Sequence, residues 1–305
     1  MERKADTTLA PALVTFCGIA VIGATWLVGW RTGWFLAHVV FPVGFWLTFE
    51  GLALRLGNGS LLRRPAVLVA MTFAGACFGL LLDFYMVYLT QILDLTAVTD
   101  PGIGLQMYLG WGLCLPAVYQ SYRVFLYILG KTVCVSSRSD LRLPSWLFAP
   151  LGLLGFGLAG MTLFFRLWVG FVPGYLIVTS FLGFWLLAEH VQLRRGRPTF
   201  GTTLLQLNFA PILAMSLASL PFTLLWEGLN YLIMDSWHYQ NIFLLEPRII
   251  GIPPVVFFGY FCGYYVLFLS LYNAVRTGDE ADLPFFGGMA DSTRETEKEG
   301  QLVVA

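Results

Sequence analysis

Charge is what this sequence has least of. Only 12% of its 305 residues are Asp, Glu, Lys or Arg, against about 25% in a typical soluble domain. The 18 basic residues balance the 18 acidic ones, so no positive excess points to nucleic acid. Cysteine is sparse as well. Cys17, Cys77, Cys114, Cys134 and Cys262 show neither paired spacing nor a CxxC, which argues against a disulfide framework or a metal centre. The three histidines, His38, His190 and His238, are too scattered to form a metal cluster. No G-x-S-x-G, phosphate loop or nucleotide fingerprint sits in a suitable strand–turn–helix setting. Ser136, Ser137 and Ser139 lie in a connection with no hydrolase context. No cofactor and no metal are expected.

What fills the chain instead is apolar. Hydrophobic residues make up 57% of it, and mean hydropathy is +0.73. Apolar runs of about 20 residues recur along the whole length, the signature of bilayer-spanning helices. The fold class read from this pattern is all-α: a polytopic transmembrane bundle of about eight helices. The spans are expected near residues 10–30, 33–56, 65–93, 103–130, 145–165, 168–192, 209–234 and 250–275. The first run shows no small-residue cleavage site and is long enough to span, so it reads as a helix rather than a removed signal.

Basic residues concentrate at alternate connections: Arg55, Arg63 and Arg64; Lys131, Arg138 and Arg142; Arg194, Arg195 and Arg197. Excess Lys and Arg mark the cytoplasmic side, which places both termini there, in what is expected to be a bacterial inner membrane. These basic groups are also expected to meet anionic membrane lipids. Asn58-Gly-Ser60 matches a glycosylation sequon but falls on the cytoplasmic side. Gly155 and Ala159 form a small-xxx-small step for close helix packing. Trp26, Trp30, Trp34, Trp146 and Trp168 read as interface anchors. From about residue 277 the chain is polar and poor in large apolar groups, and disorder is expected.

Similar blocks recur. Phe45-Trp46-Leu47-Thr-Phe-Glu50 is matched by Phe184-Trp185-Leu186-Leu-Ala-Glu189. Phe78-Gly-Leu-Leu-Leu82-Asp83 is matched by Phe222-Thr-Leu-Leu-Trp226-Glu227. The organisation expected is a parallel 4+4 repeat, 1–140 and 141–276, followed by a tail, 277–305. Sites in duplicated membrane proteins often lie between the copies.

Two polar constellations interrupt the apolar background. The outer one centres on Glu227 and Asp83, candidate acid and base groups at equivalent depths. Trp226, Asn230, Tyr231, Trp237 and Tyr239 are candidate ligand-binding residues around them. At helical spacing Glu227, Asn230, Tyr231 and Met234 share a face. An intramembrane carboxylate is costly unless protonated, paired or facing a polar cavity, which makes it a functional candidate. The plainer reading is an interhelical hydrogen bond beneath an aromatic belt. The inner constellation holds Glu50, Arg123, Glu189 and His190. A structural ion pair involving Arg123 is its expected role, with a site for lipid headgroup phosphate as the alternative.

Trp226-Glu227, Trp237-His-Tyr239 and Gly251-Ile-Pro253-Pro254-Val255-Val256-Phe257-Phe258 resemble the lycopene cyclase domain, a polytopic carotenoid-modifying module. The resemblance covers about 35 residues at the C-terminal end of the bundle. The family carries a glutamate pair, implied in olefin protonation, where this chain has Val255 and Val256. Only Glu227 and Asp83 are then left as acids. The chain also resembles uncharacterised bacterial eight-span proteins with a duplicated Trp-Glu-x-x-Asn followed by Trp-x-Tyr. The second repeat keeps Trp226, Glu227, Asn230, Trp237 and Tyr239, whereas the first keeps only an acid. These resemblances imply a bundle with an intramembrane pocket for an isoprenoid-like or lipid ligand, acted on by proton transfer. A non-catalytic subunit, assembly factor or scaffold also fits, because the motif is lost from one copy. A transporter fits least, since no span reads as clearly broken. Oligomeric state and protein partners are not encoded legibly.

Overall fold

The computed structural model describes residues 9–32, 36–95, 101–132, 143–249 and 251–277. It is a helical bundle with almost no strand, and seven of its helices are long and apolar enough to cross a membrane. Two long helices open the chain, α1 (Leu9–Thr32) and α2 (Ala37–Leu56). Gly57, at φ +69°, ends α2 by turning its N–H back to Ala53 and Leu54, a left-handed cap that glycine adopts without steric cost. Pro65 starts α3 (Pro65–Asp83), its missing N–H costing nothing in a first turn. A π segment, Phe84–Leu89, continues α3 and leads into the short strand β1 (Leu93–Asp94).

The next helix, α4 (Pro101–Thr132), is the expected fourth span but is not one of the seven most apolar helices. Its Tyr119-Gln120-Ser121-Tyr122-Arg123 stretch makes it too polar to face lipid. Nearly every residue from Gly110 to Val124 is buried, because α2, α3, α8 and α10 enclose it. A helix screened by its neighbours needs no continuous hydrocarbon surface.

Helices α5 (Phe148–Trp168) and α6 (Leu176–Arg194) follow. They were expected to be separated by two residues near 166; instead residues 169–175 form a loop. Gly170 at φ +77° and Pro173 within that loop explain the shift, since neither suits a helix interior. The small-residue step works as expected: a Cβ at Gly183 of α6 would lie 2.7 Å from the Gly155 carbonyl and 2.9 Å from Ala159 Cα. The two backbones therefore approach more closely than a side chain allows.

A short helix, α7 (Phe200–Leu205), opens with a Thr199–Thr202 capping box. Then come α8 (Ala210–Leu229), a second π segment (Asn230–Met234), and the strand β2 (His238–Tyr239). The last span is two helices, α9 (Pro254–Cys262) and α10 (Tyr264–Val275), bent at Gly263 (φ −116°, ψ −51°). That break was not expected from the sequence. β1 and β2 pair antiparallel, Leu93 with Tyr239 and Asp94 with His238, so the two chain halves are tied together at one end of the bundle.

Packing runs in matching order in the two halves. α1 packs on α2 as α5 packs on α6; α2 packs on α4 as α6 packs on α10; α4 packs on α8 as α10 packs on α3. The tail expected beyond 277, together with Ser136, Ser137, Ser139, Arg138 and Arg142, lies outside the described residues.

Candidate functional site

Where α3 and α8 end, the local backbone is what makes the site. Each helix loosens into a π segment just after its acid, and π turns shift the angular phase of whatever follows. The face expected to unite Glu227, Asn230, Tyr231 and Met234 is split for this reason. Asn230 stays buried, whereas Tyr231 is 56% exposed and lies against Gly251. Asn230 organises the chain beyond. Its Oδ1 accepts the N–H groups of Ser236 (2.8 Å) and Trp237 (3.1 Å), and its Nδ2 donates to the Trp237 carbonyl at 2.9 Å. This clamp folds Trp237 and Tyr239 back over Glu227.

Glu227 is fully engaged. It is buried, and its carboxylate accepts three bonds: from Tyr260 Oη (2.7 Å), Tyr239 Oη (2.8 Å) and Trp237 Nε1 (3.2 Å). In the connection outside the spans, burial and the adjoining Glu227 charge push the Tyr239 hydroxyl well above its ordinary range, so it remains a neutral donor. A small pocket of about 30 Å³ adjoins Glu227, Asn230 and Arg248. Trp226 lines neither this pocket nor the larger cavity beside Asp83. It packs among His38, Phe41, Phe222, Trp111 and Trp237. The His38 ring lies 4.8 Å from both Trp226 and Trp237, with Nε2 3.3 Å from Ser236 Oγ.

Asp83 is placed differently. It is 1% exposed and lines an apolar cavity of about 300 Å³ enclosed by α3, α4, α6, α9, α10 and the strand connections. Neither of its oxygens has a hydrogen-bond partner. The Trp111 indole is the side-chain donor beside it, but at a geometry short of a hydrogen bond. Across the same cavity the Tyr264 hydroxyl is likewise buried and unpartnered. Unsatisfied buried polar groups are uncommon and call for an explanation. The remaining wall is hydrocarbon and ring: Met86 and Ile92 after α3, Met107 and Trp111 on α4, Phe181 and Trp185 on α6, Val255 and Val256 on α9. The three donors to Glu227, namely Trp237, Tyr239 and Tyr260, also form part of this wall. Glu227 therefore stands behind the cavity and Asp83 on it.

The cavity has a lateral side. Val178 (49% exposed) and Leu182 (42%) of α6 line it while facing outward, and α6 packs only sparsely on α9.

The inner constellation is not one cluster. Glu50 accepts from the Ser60 hydroxyl and from the N–H groups of Leu61 and Leu62, both at 3.2 Å. Glu189 accepts the Gly201 N–H at 3.2 Å. Arg123 donates to the Asn58 carbonyl, and the Asn58 side chain returns a bond to the Arg123 carbonyl at 2.9 Å. The ion pair expected between Arg123 and one of these acids is not formed; Glu50 is bonded by the turn after α2 and Glu189 by the first turn of α7. His190 meets the Phe148 carbonyl through Nδ1 at 2.5 Å and belongs to α5–α6 packing. Asn58 is buried in this network, which withdraws the sequon from the surface.

Sequence reasoning did not single out Trp111, Tyr260, Tyr264 or His38. Tyr260 and Tyr264 are one helical turn apart and carried the available signal, but Gly263 between them obscured which face they share. Among the described residues no group of three or more His, Cys, Asp or Glu side chains can hold a metal ion.

The molecule is thus a membrane-spanning helical bundle with an apolar cavity near one end. No protein family, curated protein or solved structure matches the chain.

Proposed function

We propose that the cavity is an intramembrane binding site for a long, mostly apolar molecule of the isoprenoid or lipid class, whose polar end meets Asp83 and Tyr264. The observation that carries this reading is the Asp83 carboxyl, buried and unpartnered on the wall of an apolar cavity. Retaining such a group costs folding free energy, and a bound ligand supplies the missing partner. The volume suits a ligand site, which is commonly about 300 Å³ or larger. Glu227 has a supporting role: its three bonds hold Trp237, Tyr239 and Tyr260 in place as the cavity wall. The matching packing of the two halves supports the 4+4 repeat, with the cavity between copies.

The test is lipid extraction and mass spectrometry of protein purified as wild type, Asp83→Asn and Gly259→Phe. Gly259 lines the cavity, and a Cβ built there meets no neighbouring group within 4 Å beyond its own helix backbone and chain neighbours, so a larger side chain is chosen there to compete for the void. A co-purifying apolar molecule is expected with the wild type, depleted in Asp83→Asn and lost in Gly259→Phe. Identical extracts from all three would overturn the reading.

A second reading makes the site catalytic. Val255 and Val256, which the cyclase resemblance aligns with the family's glutamate pair, line this cavity, and Asp83 faces the same space. The Asp83 carboxyl would add its proton to an olefin carbon, the aromatic faces would stabilise the resulting carbocation, and the carboxylate would take a proton back from a neighbouring carbon. Vesicles holding the protein and a linear polyene would then yield an isomer of unchanged mass, and Asp83→Asn would abolish it. A polyene recovered unchanged from wild-type vesicles would remove this reading and leave binding alone.

A further inference from the structure

Resting on the ligand-site reading above, we infer that the occupant carries a positive charge at its polar end: a long-chain amine or quaternary ammonium rather than an alcohol or an acid. Among the described residues the cavity wall includes one carboxyl, Asp83, and no Lys, Arg or His. Among the described residues no salt bridge reaches Asp83. The site therefore offers an acid whose ionised form no described wall residue balances, in surroundings where water is scarce.

The groups around Asp83 favour the same sign of charge. The Trp111 and Tyr264 rings lie 5.9 Å apart, Phe181 and Tyr264 5.7 Å apart, and Tyr260 and Tyr264 5.1 Å apart, and all four residues line the cavity. Aromatic faces attract cations, most strongly when the cation is desolvated. A carboxylate-ended ligand would instead bring like charge against Asp83. An alcohol would meet the hydrogen-bonding needs of Asp83 and Tyr264 but leave the ionised form of the carboxyl without a countercharge. An ammonium group balances that charge and donates a charge-assisted hydrogen bond at the same contact. Position agrees as well. Asp83 lies at the end of α3, a short π segment before the chain leaves the span, a depth an amine can reach while its tail stays in hydrocarbon.

The experiment uses the full chain in phosphatidylcholine vesicles and three n-alkyl probes of one chain length: the primary amine, the alcohol and the carboxylic acid. Binding is read as the rise in the unfolding midpoint with probe concentration. The wild type is expected to bind the amine at least about tenfold more tightly than the alcohol, a difference of about 1.4 kcal/mol, and to ignore the acid. Asp83→Asn is expected to bind amine and alcohol alike, while Tyr264→Phe keeps the preference for the amine. Alcohol binding equal to amine binding in the wild type, or a preference that survives Asp83→Asn, would overturn the positive-end inference and leave the cavity reading intact. If the wild type responds to no probe, and Gly259→Phe behaves as the wild type does, the ligand-site reading itself fails. Should Asp83→Asn not fold, the three-probe order in the wild type still decides.

Discussion

Glu227 and Asp83 begin as near twins, one acid at the end of a long apolar helix in each half, each followed within a few residues by a π segment. Their surroundings separate them. Glu227 collects three side-chain donors, whereas Asp83 collects none that meets hydrogen-bond geometry. Glu227 belongs to the protein's own architecture, because its bonds fix the positions of Trp237, Tyr239 and Tyr260. Asp83 is spare within the folded chain, and spare polarity inside a membrane is expensive. Of these two acids, then, the satisfied one holds part of the wall in place and the unsatisfied one faces the cavity.

That contrast makes measurable demands. Glu227→Ala is expected to have the largest effect, a loss of about 2–4 kcal/mol in unfolding free energy. It strands an indole N–H and leaves the two hydroxyls only each other, 3.4 Å apart; a buried donor left without a partner costs about 1–3 kcal/mol, less when the unfolded chain in the membrane finds substitutes. Detergent-induced unfolding of the purified protein measures it. Tyr260→Phe removes the shortest of the three bonds and should cost about 1 kcal/mol in the same assay. Asp83→Leu should move stability the other way, by up to about 1 kcal/mol, since it deletes a buried polar group that the protein does not satisfy; the same variant should lose its co-purifying ligand. Tyr264→Phe should lie within about 0.5 kcal/mol of the wild type, its hydroxyl having no partner to lose. If Asp83→Leu destabilised the protein as much as Glu227→Ala does, the distinction between the two acids would be abandoned.

The inner end of the bundle offers a related contrast. Glu50 and Glu189 looked in sequence like partners for Arg123, because opposite charges in an apolar setting are expected to pair. Each instead receives backbone N–H groups from a nearby segment of chain, Leu61 and Leu62 of the turn after α2 in one case and Gly201 of the first turn of α7 in the other. Local backbone donors are held close by chain connectivity, so they satisfy a carboxylate without ordering a long arginine side chain. The transporter reading, ranked last in the sequence for want of a broken span, meets a break at Gly263. Tyr260 and Tyr264 on either side of that break line the cavity.

Much of the candidate site was visible as residue types. Glu227, Asp83, Trp237 and Tyr239 stood out because polar groups are rare in apolar runs. Which acid is free could not be read in the same way, since a carboxyl's partners arrive from helices distant in sequence. Tyr260 lies 33 residues beyond Glu227, and nothing local to either residue announces that contact.

Composition and run length were enough to mark this chain as a bundle of long apolar helices of membrane-spanning length and to place roughly where each one runs. Hydrophobic run length is a property of contiguous residues, and the bilayer enforces it span by span. Proline and glycine determined several ends for the same local reason. Only the tertiary structure decided that α4 is sheltered at the centre, that π turns separate Tyr231 from Asn230, and that Asp83 rather than Glu227 faces the void. Those outcomes depend on which side chains arrive together when helices pack, and packing is settled by the whole set of neighbours at once.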